Sequence, residues 1–328
     1  MGDFLILSRR DLRDMMRFAD YVEAIGEGFQ LLAEGRCASP VPTEIPVAHG
    51  TFHVKSGSLP RGPGYVAAKI NGNFPTNRAR YGLPTIQGAV FLADASNGRP
   101  LALIDSMEIT LQRTGAATAV AARYLARPES TTATICGCGE QGGIQLTALG
   151  HVLKLRQAFA WDIDREVARA FAARIHNDIG IKVEPVERLD NAARLSDAIV
   201  TCTSAKEPFL GVEDVRAGTF IAAVGADNPA KSEIKPELMA KATVVVDVFA
   251  QAVFMGDLHH AIIAGAMTAD RVHAELGQVM SGEKPGRRNA DEITIFDSTG
   301  TGIQDVAAAA RAYELARERG LGLRCDLA

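Results

Sequence analysis

Residues 131–143 read TTATICGCGEQGG, a run of small and β-branched side chains that breaks into glycines at 137, 139, 142 and 143. This stretch restricts the fold more tightly than any other in the chain. Residues 131–136 are expected to form a buried strand, 137–142 a tight turn and 141–154 a helix. A second strand, Gln157–Trp161, ends in Asp162, and Asp164 is placed to cap a helix that begins Arg-Glu-Val-Ala-Arg-Ala. The whole is a β-α-β unit with a carboxylate 25 positions after the first glycine. In that context the spacing G-x-G-x-x-G marks a dinucleotide-binding turn. Gly137 permits the sharp turn, Gly139 lets main-chain N–H groups approach a pyrophosphate, and Gly142 lets the helix pack against the strand. Glu140 and Gln141 stand at the helix N-terminus, which favours the negative charge. Asp162 suits the ribose hydroxyls and repels a 2′-phosphate, so NAD is expected over NADP, although Arg165 lies near enough in sequence to leave NADP open.

The same stretch holds Cys136 and Cys138, which raises the question of whether its thiols or its glycines carry the chemistry. The five cysteines, at 37, 136, 138, 202 and 325, are odd in number and contain no C-x-x-C pair. That pattern fits reduced thiols. No second Cys or His pair completes four zinc ligands, so no metal is expected and the glycines have the stronger claim.

Further strands are expected at residues 197–202, 219–224 and 243–247, separated by helix-length segments, which makes the middle of the chain a doubly wound parallel sheet of α/β class. Roughly 120 residues of different character precede it, rich in Pro and Gly between Ser39 and Pro84. Strand-like stretches at 51–54 and 65–70 give that part an antiparallel sheet. Residues 108–123 read as a long helix of small residues suited to close packing, and 305–319 as a helix with an Ala-rich face that packs back on the first domain. With a net charge of −4 and no Lys/Arg cluster, the chain offers nucleic acid no basic field. The N-terminus lacks the order of a signal peptide and no apolar run is long enough to span a bilayer, so no membrane association and a cytoplasmic location are expected.

Several segments together resemble the ornithine cyclodeaminase/mu-crystallin family: Ala67-Ala-Lys-Ile70, Gly82-Leu-Pro-Thr-Ile-Gln87, Leu111-Gln-Arg-Thr-Gly-Ala-Ala-Thr118, the glycine turn, Val224-Gly-Ala-Asp-Asn-Pro-Ala-Lys-Ser-Glu233 and Phe296-Asp-Ser-Thr-Gly-Thr-Gly302. The resemblance implies a Rossmann domain, residues 120–303, inserted into an α+β substrate and dimerisation domain, residues 1–119 completed by 304–328. It also implies a homodimer and hydride transfer between a nicotinamide cofactor and the α-carbon of a small amino or imino acid. By the same resemblance Lys69 and Arg113 contact the substrate carboxylate, Thr85 lines that site, and Asp227 sits beside the reacting nitrogen. Thr114, Thr203, Ser298 and Gly300 join the turn in holding the cofactor.

Residue chemistry bears on these roles unevenly. A lysine in an otherwise apolar strand needs a partner, which favours a working Lys69. Lys69 would also exchange protons if burial or Arg113 lowered its pKa. Arg113 suits holding domains together equally well, Thr114 suits back-bonding within its helix, and Asp-Asn-Pro at 227–229 is ordinary turn chemistry. His259 and His260 lack companions at ligand spacing and read as structural.

Two positions depart from the cyclodeaminase pattern. Pro42 stands where the family often has an arginine, and His53 stands near the place of a glutamate that receives the distal ammonium of ornithine. His53 and Lys55 share one strand face, so both reaching the site would add positive charge and favour a dicarboxylate imine over a diamine. The leading expectation is therefore an NAD-dependent amino-acid dehydrogenase or imine reductase. Ornithine cyclodeaminase comes second, and a mu-crystallin-like cofactor-binding protein third.

Overall fold

The computed structural model describes residues 4–327, apart from the side chains of residues 177 and 178. The chain forms two compact units, one from the described residues through Ala116 together with those from Thr301 onward, the other Ala117–Gly300. In chain order the first unit contributes strands β1 (Phe4–Leu7), β2 (Thr43–Val47), β3 (Gly50–Leu59), β4 (Tyr65–Asn73), β5 (Ile86–Asp94) and β6 (Pro100–Asp105). The second contributes β7 (Thr132–Cys136), β8 (Gln157–Trp161), β9 (Lys182–Pro185), β10 (Ala198–Thr201), β11 (Phe220–Ala223), β12 (Thr243–Val246), β13 (Ala274–Glu275) and β14 (Thr294–Asp297). The last strand, β15 (Leu323–Cys325), returns to the first sheet.

The first sheet has the order β15-β1-β6-β5-β4-β3-β2 and is antiparallel except where β1 meets β6. Its pleat sorts the side chains by face. On β4, Ala67, Lys69 and Asn71 are buried while Val66 and Ile70 point to the open side. Register sets Lys55 on β3 directly opposite Lys69, and Lys69 opposite Val90 on β5. The helix Gly302–Arg319 covers this buried face, packing on β3, β4 and β5, and its alanines from 307 to 310 are nearly all inaccessible. Two glycines make the approach close. A Cβ on Gly302 would fall 1.7 Å from the Ser56 carbonyl oxygen, and one on Gly57 would fall 2.9 Å from Gly302 main-chain atoms. The first turn of the helix therefore rests on the strand itself, which brings Asp305 over the cationic rows of β3 and β4.

In the second unit every pairing among β7–β14 is parallel, in the order β13-β12-β14-β11-β10-β7-β8-β9. The central strands read as continuous apolar runs because both faces are covered, with Ile199, Ile221, Val244, Val246 and Ile295 in one core with Leu210, Leu238 and Met239. From β7 the chain proceeds outward through β8 and β9, then resumes on the other side at β10. The order reverses between β7 and β10, the place where open α/β sheets bind ligands. Asp197, expected as the first strand residue, instead turns its carboxylate to the N–H groups of Thr131 and Thr132, at 2.8 and 3.1 Å. Two short edge strands, β9 and β13, have no counterpart in the sequence reading because neither carries an extended apolar run.

Candidate active site

The first unit buries three cations, Lys55, Lys69 and Arg113, the last two around one carboxylate. His53, Lys55, Gly57 and Leu59 alternate onto the covered face of β3, as Lys69 does on β4. Lys69 is 3% exposed, and its Nζ donates to Asp305 Oδ1 at 2.7 Å and to Thr110 Oγ1 at 3.2 Å. Arg113 Nε lies 3.2 Å from the same Asp305 oxygen, while its Nη1 donates to Gln304 Oε1 at 2.7 Å. Burial, with Arg113 and Lys55 nearby, pushes the Lys69 ammonium down to about 7 against the opposing pull of Asp305. Burial alone would raise the Asp305 carboxyl, but Lys69 and Arg113 outweigh it and hold it below the usual carboxylate range. Among the described residues, Asp305 Oδ2, Gln304 Nε2 and Asn71 Oδ1, all buried beside this cluster, have no hydrogen-bond partner. A carboxylate entering here would meet cations already held in place, and a lysine able to give or take a proton near neutrality.

Asp305 escaped the sequence reading. It looks like an ordinary acid in the first turn of a helix, where the macrodipole favours one. The available signal was its setting in Gly302-Ile-Gln-Asp-Val-Ala-Ala-Ala-Ala310, a stretch too apolar to leave a charge without a partner. Other expectations met local competition. Thr114 Oγ1 donates to Thr110 O at 2.7 Å, the back-bonding alternative. The His53 ring lies 3.4 Å from Glu44 on β2, so positive charge at that position has a carboxylate beside it. Thr85 is exposed, with its carbonyl accepting from Phe74 N–H at 2.8 Å.

In the second unit Gly137 has φ +100°, a left-handed conformation that side chains resist, and a Cβ on Gly142 would fall 2.3 Å from Gly137 O. Gly139 is the N-cap of the helix Glu140–Val152, has no side-chain cap, and has open space where a Cβ would stand. Among the described residues, no side chain caps the first N–H groups of that helix, which leaves main-chain donors for an anion. These residues fit a dinucleotide pyrophosphate. Asp162 braces the turn, its Oδ2 accepting from Cys138 N–H at 2.9 Å. Burial pushes the Cys138 thiol up to about 12 and raises the Cys136 thiol as well, so neither is a thiolate at neutral pH. Among the described residues, no three His, Cys, Asp or Glu side chains are grouped to hold a metal ion.

Three further expected positions lie at the carboxyl edge of this sheet. Thr203 donates through its N–H and its hydroxyl to Glu233, Ser298 Oγ is buried without a partner, and Gly300 N–H donates to Asp247 Oδ2 at 2.8 Å. Asp227 follows β11 and is half exposed, with Oδ1 accepting from Lys231 Nζ at 2.7 Å. His260 Nε2 is 2.9 Å from Lys231 O, and His259 Nδ1 is 3.0 Å from Val253 O. Both histidines are engaged by main-chain carbonyls.

The model of the ornithine cyclodeaminase/mu-crystallin family matches residues 3–320. The chain belongs to this family. Among solved family members, an archaeal alanine dehydrogenase dimer with bound NAD superposes with a TM-score of 0.94 at 35% identity, covering all of both chains. The Δ1-pyrroline-2-carboxylate reductase of Thermococcus litoralis, in complex with NADH and L-proline, gives 0.94 at 34% identity over 98% of this chain and 100% of its own. The iminosuccinate reductase of Paracoccus denitrificans, in complex with NAD+, gives 0.93 at 32% over 99% and 100%. The resemblance read from separate motifs thus extends over nearly the whole family fold, including the inserted parallel sheet.

Proposed function

We propose that this chain is an NAD-dependent oxidoreductase that interconverts a small α-amino acid and its imine. The observation that carries the reading is the buried Lys69–Asp305–Arg113 constellation, together with an uncapped glycine turn in the other unit. Residues through Ala116 and from Thr301 onward serve as the substrate domain, and Ala117–Gly300 serves as the dinucleotide domain. A bound nicotinamide supplies or accepts the hydride at the α-carbon. Lys69 and Arg113 fix the substrate carboxylate by charge-assisted hydrogen bonds, and Lys69 holds or releases a proton at Nζ. Asp227 stabilises the positive charge of the iminium nitrogen, exchanging its ion pair with Lys231 for that contact.

Gly137, Gly139, Glu140, Gln141 and Gly142 hold the pyrophosphate and Asp162 the adenosine ribose. Arg165, the residue that kept NADP open, is paired with Glu187 at 3.1 Å, which favours NAD. Lys55, buried opposite Lys69, favours a substrate with a second anionic group. Glu44, in register with His53 and 3.4 Å from its ring, supports a second reading, cyclodeamination, because it adds to that strand face a carboxylate of the kind that accepts from a distal ammonium. The open face of the first sheet supports assembly into a homodimer. Phe91, Leu103, Ile6 and Leu323 are registered neighbours across four strands, and all four are exposed.

The test follows NADH absorbance and ammonia together, offering 2-oxo acids with ammonia or methylamine and, separately, ornithine with catalytic NAD. The expected outcome is net NADH oxidation, fastest with an oxo-dicarboxylate and at least about tenfold better with NADH than NADPH in kcat/KM. Ammonia and proline from ornithine without net NADH change would replace this reading with the cyclodeaminase.

A further inference from the structure

Glu233 closes the loop that follows β11 and carries Asp227, and its side chain is fully buried. One carboxylate oxygen accepts from both the N–H and the hydroxyl of Thr203, at 2.6 and 2.7 Å, and the other accepts from Gly225 N–H at 2.9 Å. The main chain at this position is held independently. Glu233 and Ile234 N–H donate to Asp257 Oδ1 at 2.7 and 2.9 Å, and the Glu233 carbonyl accepts from Phe209 and Leu210 N–H at 3.0 Å. The carboxylate is therefore delivered to a set position.

Both groups it binds lie at the carboxyl edge of the parallel sheet. Thr203 follows β10 and Gly225 follows β11, which are adjacent strands. Thr203 in turn abuts the glycine turn, since its Cγ2 lies 3.1 Å from where a Cβ on Gly137 would stand. Gly225 closes on the carboxylate so tightly that a Cβ there would fall 2.4 Å from Glu233 Oε1. One continuous path thus runs from Gly137 through Thr203 and Glu233 to Gly225, two residues before Asp227.

We propose that Glu233 is a positioning residue that ties the dinucleotide turn to the Asp227 loop, so that one buried carboxylate sets both the seat of the cofactor and the placement of Asp227. Hydrogen-bond chemistry explains why the residue is a glutamate. A carboxylate is an acceptor at both oxygens and meets three donors, whereas an amide would turn an NH2 group toward one of them. Aspartate is one methylene shorter and cannot reach Thr203 and Gly225 from the same main-chain position.

The inference rests on the dinucleotide reading above, and its test separates the two. NADH is titrated by fluorescence into the full-length wild type, Glu233→Gln, Thr203→Val and the double variant, with kcat, KM and thermal midpoints measured alongside. Glu233→Gln is expected to raise the NADH Kd and lower kcat about tenfold each, while KM for the imino acid moves less than about twofold because the carboxylate-binding cations are in the other unit. Thr203→Val is expected to raise the NADH Kd about threefold, and the double variant to be no weaker than Glu233→Gln, since both substitutions break the same link. A Glu233→Gln protein that only melts earlier, with Kd and kcat near wild type, overturns the proposal, as do effects that multiply in the double variant. Should Glu233→Gln fail to fold, an unchanged Kd in Thr203→Val overturns it. Wild-type protein that binds no NADH removes the functional reading and the proposal with it, whereas wild-type binding with unaffected variants removes the proposal alone.

Discussion

Asp305 decides what the cationic cluster can do. It is the carboxylate shared by Lys69 and Arg113, and it opposes the burial that pulls Lys69 down to about 7. Asp305→Asn keeps the shape and removes the charge, leaving two buried cations without their counterion at a cost of about 3–5 kcal/mol in stability. The effect on pH dependence has a definite sign. If Lys69 delivers the proton as proposed, imine reduction needs it protonated, and wild-type kcat/KM is expected to fall as pH rises through about 7. In Asp305→Asn the Lys69 pKa drops further and the fall begins at lower pH; a limb that stays in place would show that Lys69 is not the titrating group. Stability has its own sign: because Lys69 loses its proton more readily folded than unfolded, its contribution improves as pH rises from about 7 toward 10.5. Lys69 itself was legible in the sequence, as a charge in the strand Tyr65–Asn73 that no exposed position accounts for. Asp305 was not, because an acid in the first turn of a helix has an ordinary explanation.

At the scale of elements, glycine placement governs how closely segments meet. Gly302 lets the final helix begin directly on β3, where a Cβ would fall 1.7 Å from the Ser56 carbonyl oxygen. Gly302→Ala is therefore expected to cost about 1–3 kcal/mol by overpacking and to reduce turnover by shifting Asp305 away from Lys69. Gly150, within the helix Glu140–Val152, has nothing within 4 Å of a Cβ, so the same substitution there is expected to stabilise by up to about 1 kcal/mol. Thermal midpoints of the two variants, with kcat for the first, check both signs; a neutral Gly302→Ala would mean that the helix tolerates displacement. The strands and helices around the glycine turn were readable because each is specified within a few residues: apolar runs at β7 and β8, Asp164 capping Glu166 N–H, and Gly137 at positive φ. Strand ends were less readable. Asp197 and Cys202 sit at ladder ends whose hydrogen bonds are settled by neighbouring segments.

At the scale of the molecule, the first sheet buries one face under its own helix and leaves the other apolar and open. Phe91→Glu, at the β5 end of the registered row that starts at Leu323, is expected to convert the proposed dimer to monomers without loss of secondary structure, read by light scattering and circular dichroism. A wild-type protein that is monomeric at micromolar concentration would show that this face is not a dimer interface. The sequence by itself determined the parallel α/β core, the glycine turn and the buried charge at Lys69, because local periodicity, turn chemistry and one misplaced charge are properties of short windows. Only the tertiary structure decided that Asp305 meets Lys69 across 236 positions and that Glu233 joins Thr203 to Gly225. Such meetings depend on strand register and on how closely a helix seats on a sheet, and the packing of distant segments sets both.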